Sequence, residues 1–129
     1  MTTHRQQRVS ELLREELSLL IQAELNDPRL EDALVTVTHV DITPDLMNAR
    51  VFVDHALALE AAGAILEALR HAEPFLRRML AESLDLRAVP SLTFHIDTVE
   101  QRARRVDAIL DQIAVVEKAQ PDEADSDAG

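Results

Sequence analysis

Residues 34–54 read Leu-Val-Thr-Val-Thr-His-Val-Asp-Ile-Thr-Pro-Asp-Leu-Met-Asn-Ala-Arg-Val-Phe-Val-Asp, and their pattern decides the fold class. The first nine residues are rich in β-branched side chains and alternate apolar with polar, the two-residue period of a strand with one buried face. The apolar phase slips between Val37 and Val40, which a β-bulge near Thr38-His39 accounts for. Thr43-Pro44-Asp45 has turn chemistry, and Ala49, Val51 and Val53 then alternate with Arg50, Phe52 and Asp54. The reading is a β-hairpin with one face turned to a core.

Upstream of the hairpin, Val9, Leu12, Leu13, Leu17, Leu20 and Ile21 recur at three- and four-residue spacing. This is the apolar stripe of an amphipathic helix over residues 5–25, and Asn26-Asp27-Pro28 closes it because Pro28 disfavours a helical residue before it. Downstream, helical period returns from Ala58 to His71 and resumes through Phe75, Leu76, Met79, Leu80 and Leu84. Pro74 lies between the two stretches, so Ala72-Glu73-Pro74 is expected to mark a break or sharp kink, giving two helices or one bent one. Leu92, Phe94 and Ile96 alternate as a third strand. Thr98-Val99-Glu100-Gln101 has capping-box spacing ahead of a last helix, whose stripe is Val106, Ile109, Leu110, Ile113 and Val116.

The element order α-β-β-α-α-β-α predicts an α+β domain over residues 1–119, with helices on one face of a three-stranded sheet. Residues 120–129, with Asp122-Glu123-Ala124-Asp125-Ser126-Asp127, are expected to form a short disordered acidic tail. Alternation leaves the strand order open. Arg50 and His95 fall on the uncovered sheet face and are expected to be solvated unless a partner sits there.

Composition narrows the classes. A chain of 129 residues fits one domain of ordinary size, and 47% hydrophobic with 29% charged is a folding composition. With no cysteine there is no disulfide and no thiolate metal site. The N-terminus lacks the apolar run of a secretory signal and no segment reads as a membrane span, so the expected compartment is the cytosol. The glycines are Gly63 and Gly129 alone, which excludes Gly-rich phosphate loops, and the five histidines are scattered one per element. Nothing assembles a nucleophile, a base and an oxyanion site. The expectation is a protein that is not an enzyme, with no metal and no cofactor.

The net charge of −11 opposes phosphate binding on average, but its distribution is uneven. Residues 1–14 hold Arg5, Arg8 and Arg14 against Glu11, and residues 70–105 hold seven arginines against five carboxylates. The remainder has Arg29, Arg50 and Lys118 against eighteen carboxylates. A helix break at Pro74, followed by Arg77-Arg78 and then by Arg87 on the loop into strand three, is a candidate anion site, because a helix start exposes unpaired N–H groups.

Several segments together resemble the ribosome-binding factor A family, bacterial factors of small-subunit assembly. The resemblance starts with Arg5-x-x-Arg8-Val9 and Asp27-Pro28-Arg29-Leu30. It runs through Val40-Asp41-Ile42-Thr43-Pro44-Asp45-Leu46 and Ala49-Arg50-Val51-Phe52-Val53, and is most specific at Leu86-Arg87-x-Val89-Pro90-x-Leu92-x-Phe94-x-x-Asp97. It implies a type II KH-like fold, α-β-β-α-α-β, in which a kinked helix pair replaces the Gly-x-x-Gly loop, with a C-terminal helix added. The family's Ala-x-Gly kink stands here as Ala72-Glu73-Pro74, and Ser91 stands where Glu is commoner. The resemblance further implies binding of the free 30S subunit through 16S rRNA, and support of late maturation and rRNA processing with a role in the cold. It implies action as a monomer with no membrane contact, and release by a ribosome-associated GTPase. The residues expected to meet RNA are Arg5, Arg8, Arg70, Ala72, Glu73, Pro74, Arg77, Arg78, Arg87, Arg102, Arg104 and Arg105. The alternative is a KH-like protein-interaction adaptor without RNA contact, working through the open sheet face or the last helix.

Overall fold

The computed structural model describes residues 3–119, with side chains through residue 110. The element order is α1 (His4–Glu24), β1 (Thr36–Ile42), β2 (Asn48–Asp54), α2 (Ala62–Leu84), β3 (Ser91–Ile96) and α3 (Val99–Ala119). Short 3₁₀ turns at Pro28–Leu30 and Leu59–Ala61 precede β1 and α2. The chain divides into two compact units between Asp97 and Thr98. Among the described residues no helix is long and apolar enough to cross a membrane.

In the first unit the hairpin forms where the alternation placed it. β1 and β2 are antiparallel and the register shifts between Val37 and His39, so the extra residue Thr38 returns Val40 and Ile42 to the face that Val37 occupies. At the turn, the Asp45 carboxylate accepts from Thr43 Oγ1 at 2.6 Å and Met47 N at 3.0 Å. These bonds, the hydroxyl first, hold its pKa below the ordinary value. Leu46 takes a left-handed φ of 61° there. The strand order, open from sequence, is β1-β2-β3, with β3 parallel to the central β2.

Helix α1 starts with a full capping box, Thr3 with Gln6. It lies antiparallel along β1: Gln6 Nε2 donates to the Ile42 carbonyl and Gln22 Nε2 to the Val35 carbonyl. The lengths agree, since sixteen residues of helix and seven of strand each span roughly 24 Å. Leu13, Leu17, Leu20 and Ile21 enter the core with Val51, Val53, Leu69, Leu76 and Leu80. Leu12, counted in the expected stripe, is 47% exposed, because it faces away from the seam that the other four define.

Helix α2 is continuous from Ala62 to Leu84 with Pro74 inside it, so the two-helix reading, and with it the α-α pair of the expected element order, is not realised. Pro74 is exposed, and the Arg70 carbonyl that its missing N–H leaves open is on a helix face that water can reach. No second helix start opens at 72–74, so unpaired N–H groups are not part of a site there. Asp85 ends α2 at a left-handed φ of 50°, the position more often held by Gly.

One line of α2, residues 70, 73 and 77, covers the outer edge of β3. Glu73 Oε2 accepts the Leu92 N–H at 2.9 Å, and Arg77 Nη2 donates to the Val89 carbonyl at 3.1 Å. Burial, with Arg50 and then Arg70 adding to it, lowers the pKa of His95. An edge strand would otherwise present unpaired backbone groups. On the open face, Phe52 is only 4% exposed. His39 and His95 flank it at ring centroid distances of 5.8 and 5.4 Å, and the Arg50 guanidinium lies 5.9 Å from its ring. Arg50 stays exposed, paired with Asp41, and His95 is half-buried. The expectation of a solvated face therefore fails at Phe52. Buried Asp97 accepts from Thr38 Oγ1 at 2.5 Å, tying the end of β3 to the bulge of β1 across β2.

In the second unit, Thr98 Oγ1 accepts the Gln101 N–H at 3.1 Å and α3 follows. The expected disordered tail, 120–129, lies outside the described residues.

The edge contact gives a stability prediction. Glu73→Ala leaves the Leu92 N–H without its acceptor and is expected to cost about 1–3 kcal/mol, whereas Glu73→Gln keeps an acceptor oxygen and most of the stability. Urea titration of the three proteins, at equal slope, checks the order.

Candidate nucleic-acid interface

The fold fixes which arginines share an end of the sheet. α1 runs antiparallel to β1 and α2 antiparallel to β3. β1 and β3 in turn point in opposite directions on either side of β2. The start of α1, the hairpin turn, the second half of α2 and the 85–90 loop therefore gather at one end. There, the Ser91 N–H donates to the Met47 carbonyl at 2.9 Å. Arg5, Arg8, Arg77, Arg78 and Arg87 belong to these segments, among Asp45, Glu82 and Asp85. The opposite end, residues 24–35 and 54–62, carries six carboxylates against Arg29 alone. The polarity seen in the sequence is thus a polarity along the strands.

The expected RNA-contact residues divide by what else they do. Arg5, Arg8 and Arg87 are exposed and, among the described residues, form no ion pair. Arg78 is exposed and lies over the Phe75 ring at 5.9 Å, which steadies the guanidinium without using its donors. Arg77 and Glu73 serve the fold through Val89 and Leu92, and Arg77 Nε is buried with no hydrogen bond. Arg70 is exposed beside the β3 edge, Ala72 is half-buried, and Pro74 faces solvent. Arg102, Arg104 and Arg105 are on α3 in the second unit, where Arg104 reaches Glu100 at 3.9 Å.

Three other arginines are held by carboxylates. Arg14 pairs with Glu11 at 3.0 Å, raising its own pKa and lowering that of Glu11. Arg50 pairs with Asp41. Arg29 grips Asp27 with two bonds, 3.0 and 2.7 Å, and these, helped by the Arg29 N–H, bring the Asp27 carboxyl down to about 2. Among the described residues no group of three or more His, Asp or Glu side chains is placed to hold a metal ion.

This geometry can bind an anionic polymer at one end of the sheet and repel it from the other. Residues 5–110 match the family described as Ribosome-binding factor A. The chain belongs to the ribosome-binding factor A family. It is similar to ribosome-binding factor A of Thermomicrobium roseum, 43% identical over 113 residues covering 88% of this chain and 86% of that one. It is also similar to that of Aromatoleum aromaticum, 39% identical with 84% of each covered. The crystal structure of ribosome-binding factor A from Thermus thermophilus aligns with a TM-score of 0.62 at 34% identity, covering 76% of this chain and 97% of that one. Coordinates of Thermus thermophilus ribosome-binding factor A fitted into a cryo-EM map of a 30S complex align with a TM-score of 0.54 at 30% identity, covering 74% and 93%. The KH-like α+β fold expected from the resemblance is the fold observed, with Pro74 inside the single helix α2.

Sequence reasoning treated Arg77 and Arg78 as a pair, and the structure gives them different duties. The i, i+3, i+7 spacing of Arg70, Glu73 and Arg77 was the available signal for a shared helix face. Arg77→Ala is expected to lower stability by about 1–2 kcal/mol through the loss of its bond to Val89, and Arg78→Ala to leave the melting curve nearly unchanged. Thermal denaturation of the two variants checks the division.

Proposed function

We propose that this protein binds the free 30S ribosomal subunit through 16S rRNA, as a cytoplasmic factor that is not an enzyme. In this reading it supports late subunit maturation and rRNA processing, with most effect in the cold. The observation that carries the reading is the gathering of exposed Arg5, Arg8, Arg78 and Arg87 at one end of an otherwise acidic KH-like unit, in a chain whose relatives are ribosome-binding factors. The similarity to coordinates fitted into a 30S complex supports the same partner.

Arginines on rigid elements supply phosphate contacts that give affinity and orientation more than sequence reading. The carboxylates elsewhere disfavour RNA approaching in other orientations. Ala72, Glu73 and Pro74 enter as the scaffold that sets α2 against β3, and Arg70 lies along that edge. On α3, Arg102, Arg104 and Arg105 add further cationic groups for phosphate contact. The factor acts as a monomer, and a ribosome-associated GTPase drives its release.

Co-sedimentation with free 30S subunits and with whole ribosomes across a salt series tests the proposal. Binding to free subunits, falling steeply as salt rises, is expected. The quadruple change of Arg5, Arg8, Arg78 and Arg87 to Ala is expected to weaken it by at least about tenfold and to flatten the salt dependence. Unchanged binding in that folded variant overturns the assignment of this surface.

A further inference from the structure

At the end of the sheet away from those arginines, a groove of about 730 Å³ opens between the end of α1, the Pro28–Leu30 turn and the entry to β1. Its apolar lining comes from Ile21, Leu25, Leu30 and Val35, and its rim carries Asp27, Glu31 and Asp32. Asp27 is neutralised by Arg29, so the uncompensated rim charge is that of Glu31 and Asp32, both exposed. Beside them Leu34 stands 73% exposed with a left-handed φ of 48°, a conformation that costs a leucine about 1–2 kcal/mol. The segment is not loose. The Ala33 carbonyl accepts the Ala56 N–H at 2.8 Å, the Val35 carbonyl accepts from Gln22, and Ala33 and Val35 are buried. The fold thus holds a leucine out into water at a fixed place, next to two carboxylates and an apolar trough.

We infer that this groove is a docking site for a basic, apolar-anchored protein segment, one that sets a leucine-like side chain against Leu25, Leu30 and Leu34 and its Lys or Arg groups against Glu31 and Asp32. Charge complementarity selects that occupant. A nucleic acid would bring phosphate to a rim of like charge, while a basic segment gains from the rim and from the trough together. The site lies at the opposite end of the sheet from Arg5, Arg8, Arg78 and Arg87, so the inference stands whether or not those residues bind rRNA. On a particle made of RNA and protein, the two ends would permit one molecule to hold both at once.

The test uses the full chain, labelled with ¹⁵N, titrated with a short synthetic peptide of alternating Leu and Lys. Parallel titrations use the same peptide with Glu in place of Lys, and a single-stranded oligouridylate. The variants suit the backbone: Asn tolerates the left-handed region, so Asp32→Asn and Leu34→Asn keep the loop geometry, and Glu31→Gln is isosteric. The expected result is amide perturbation confined to residues 21–36, with peptide affinity lowered about tenfold by Glu31→Gln/Asp32→Asn. A comparable loss is expected from Leu34→Asn, with no fall in melting temperature in either variant. Absence of peptide binding overturns the inference. So does equal binding of the Glu peptide, undiminished binding by the variants, or perturbation of the same amides by the oligouridylate.

Discussion

Parallel pairing of β3 with β2 obliges the chain to travel back along the sheet between Asp54 and Ser91, and α2 is that return. The other placements follow from this requirement. With α1 clamped antiparallel to β1 by Gln6 and Gln22, the two helices oppose each other on one face. The start of α1 and the latter half of α2 then meet the hairpin turn at a single end. Arginines remote in sequence become neighbours in region, and the carboxylates of 24–35 and 54–62 are left at the far end. Charge polarity here is a consequence of topology.

The return helix also has to protect the strand it creates. β3 is an outer strand; Glu73 occupies its Leu92 N–H, and Arg77 occupies the Val89 carbonyl on the loop that leads into it. Two residues that look like ligands for RNA in the sequence are thus committed to the protein's own backbone. Arg78, one position on, is turned some 100° around the helix and faces outward over Phe75. Pro74 sits between these duties on the exposed side of the helix. Family membership stands beside a unit whose exposed arginines gather at one end of the sheet on rigid elements.

Much of this was legible before the structure, for identifiable reasons. The phase slip between Val37 and Val40 announced the bulge at Thr38, because a strand cannot change face without an extra residue. The alternation at Ala49, Val51 and Val53 fixed the inward face of β2. Thr98 with Gln101 marked the start of α3. Strand order was not legible, since alternation says which face is buried and nothing about which neighbour pairs. The burial of Phe52 on the open face was not legible, because its cover is made by His39 and His95 from two other strands, a contact with no trace in local spacing. The candidate site was legible as a list of arginines. Which of them serve the fold depended on the β3 edge, and so on strand order. The groove near Leu34 left little trace, because a left-handed leucine has no signature in sequence.

Contact of rRNA with the end of the sheet bearing Arg5, Arg8, Arg78 and Arg87 can be read directly by tethered cleavage. The chain has no cysteine, so Glu82→Cys, at the arginine end, and Leu34→Cys, at the acidic end, each offer a single attachment point for an iron chelate that generates hydroxyl radicals. Bound to free 30S subunits, the protein tethered at position 82 is predicted to cleave 16S rRNA at discrete positions, while the probe at position 34 gives weak cleavage or none. Strong cleavage from position 34 with none from position 82 would contradict the account.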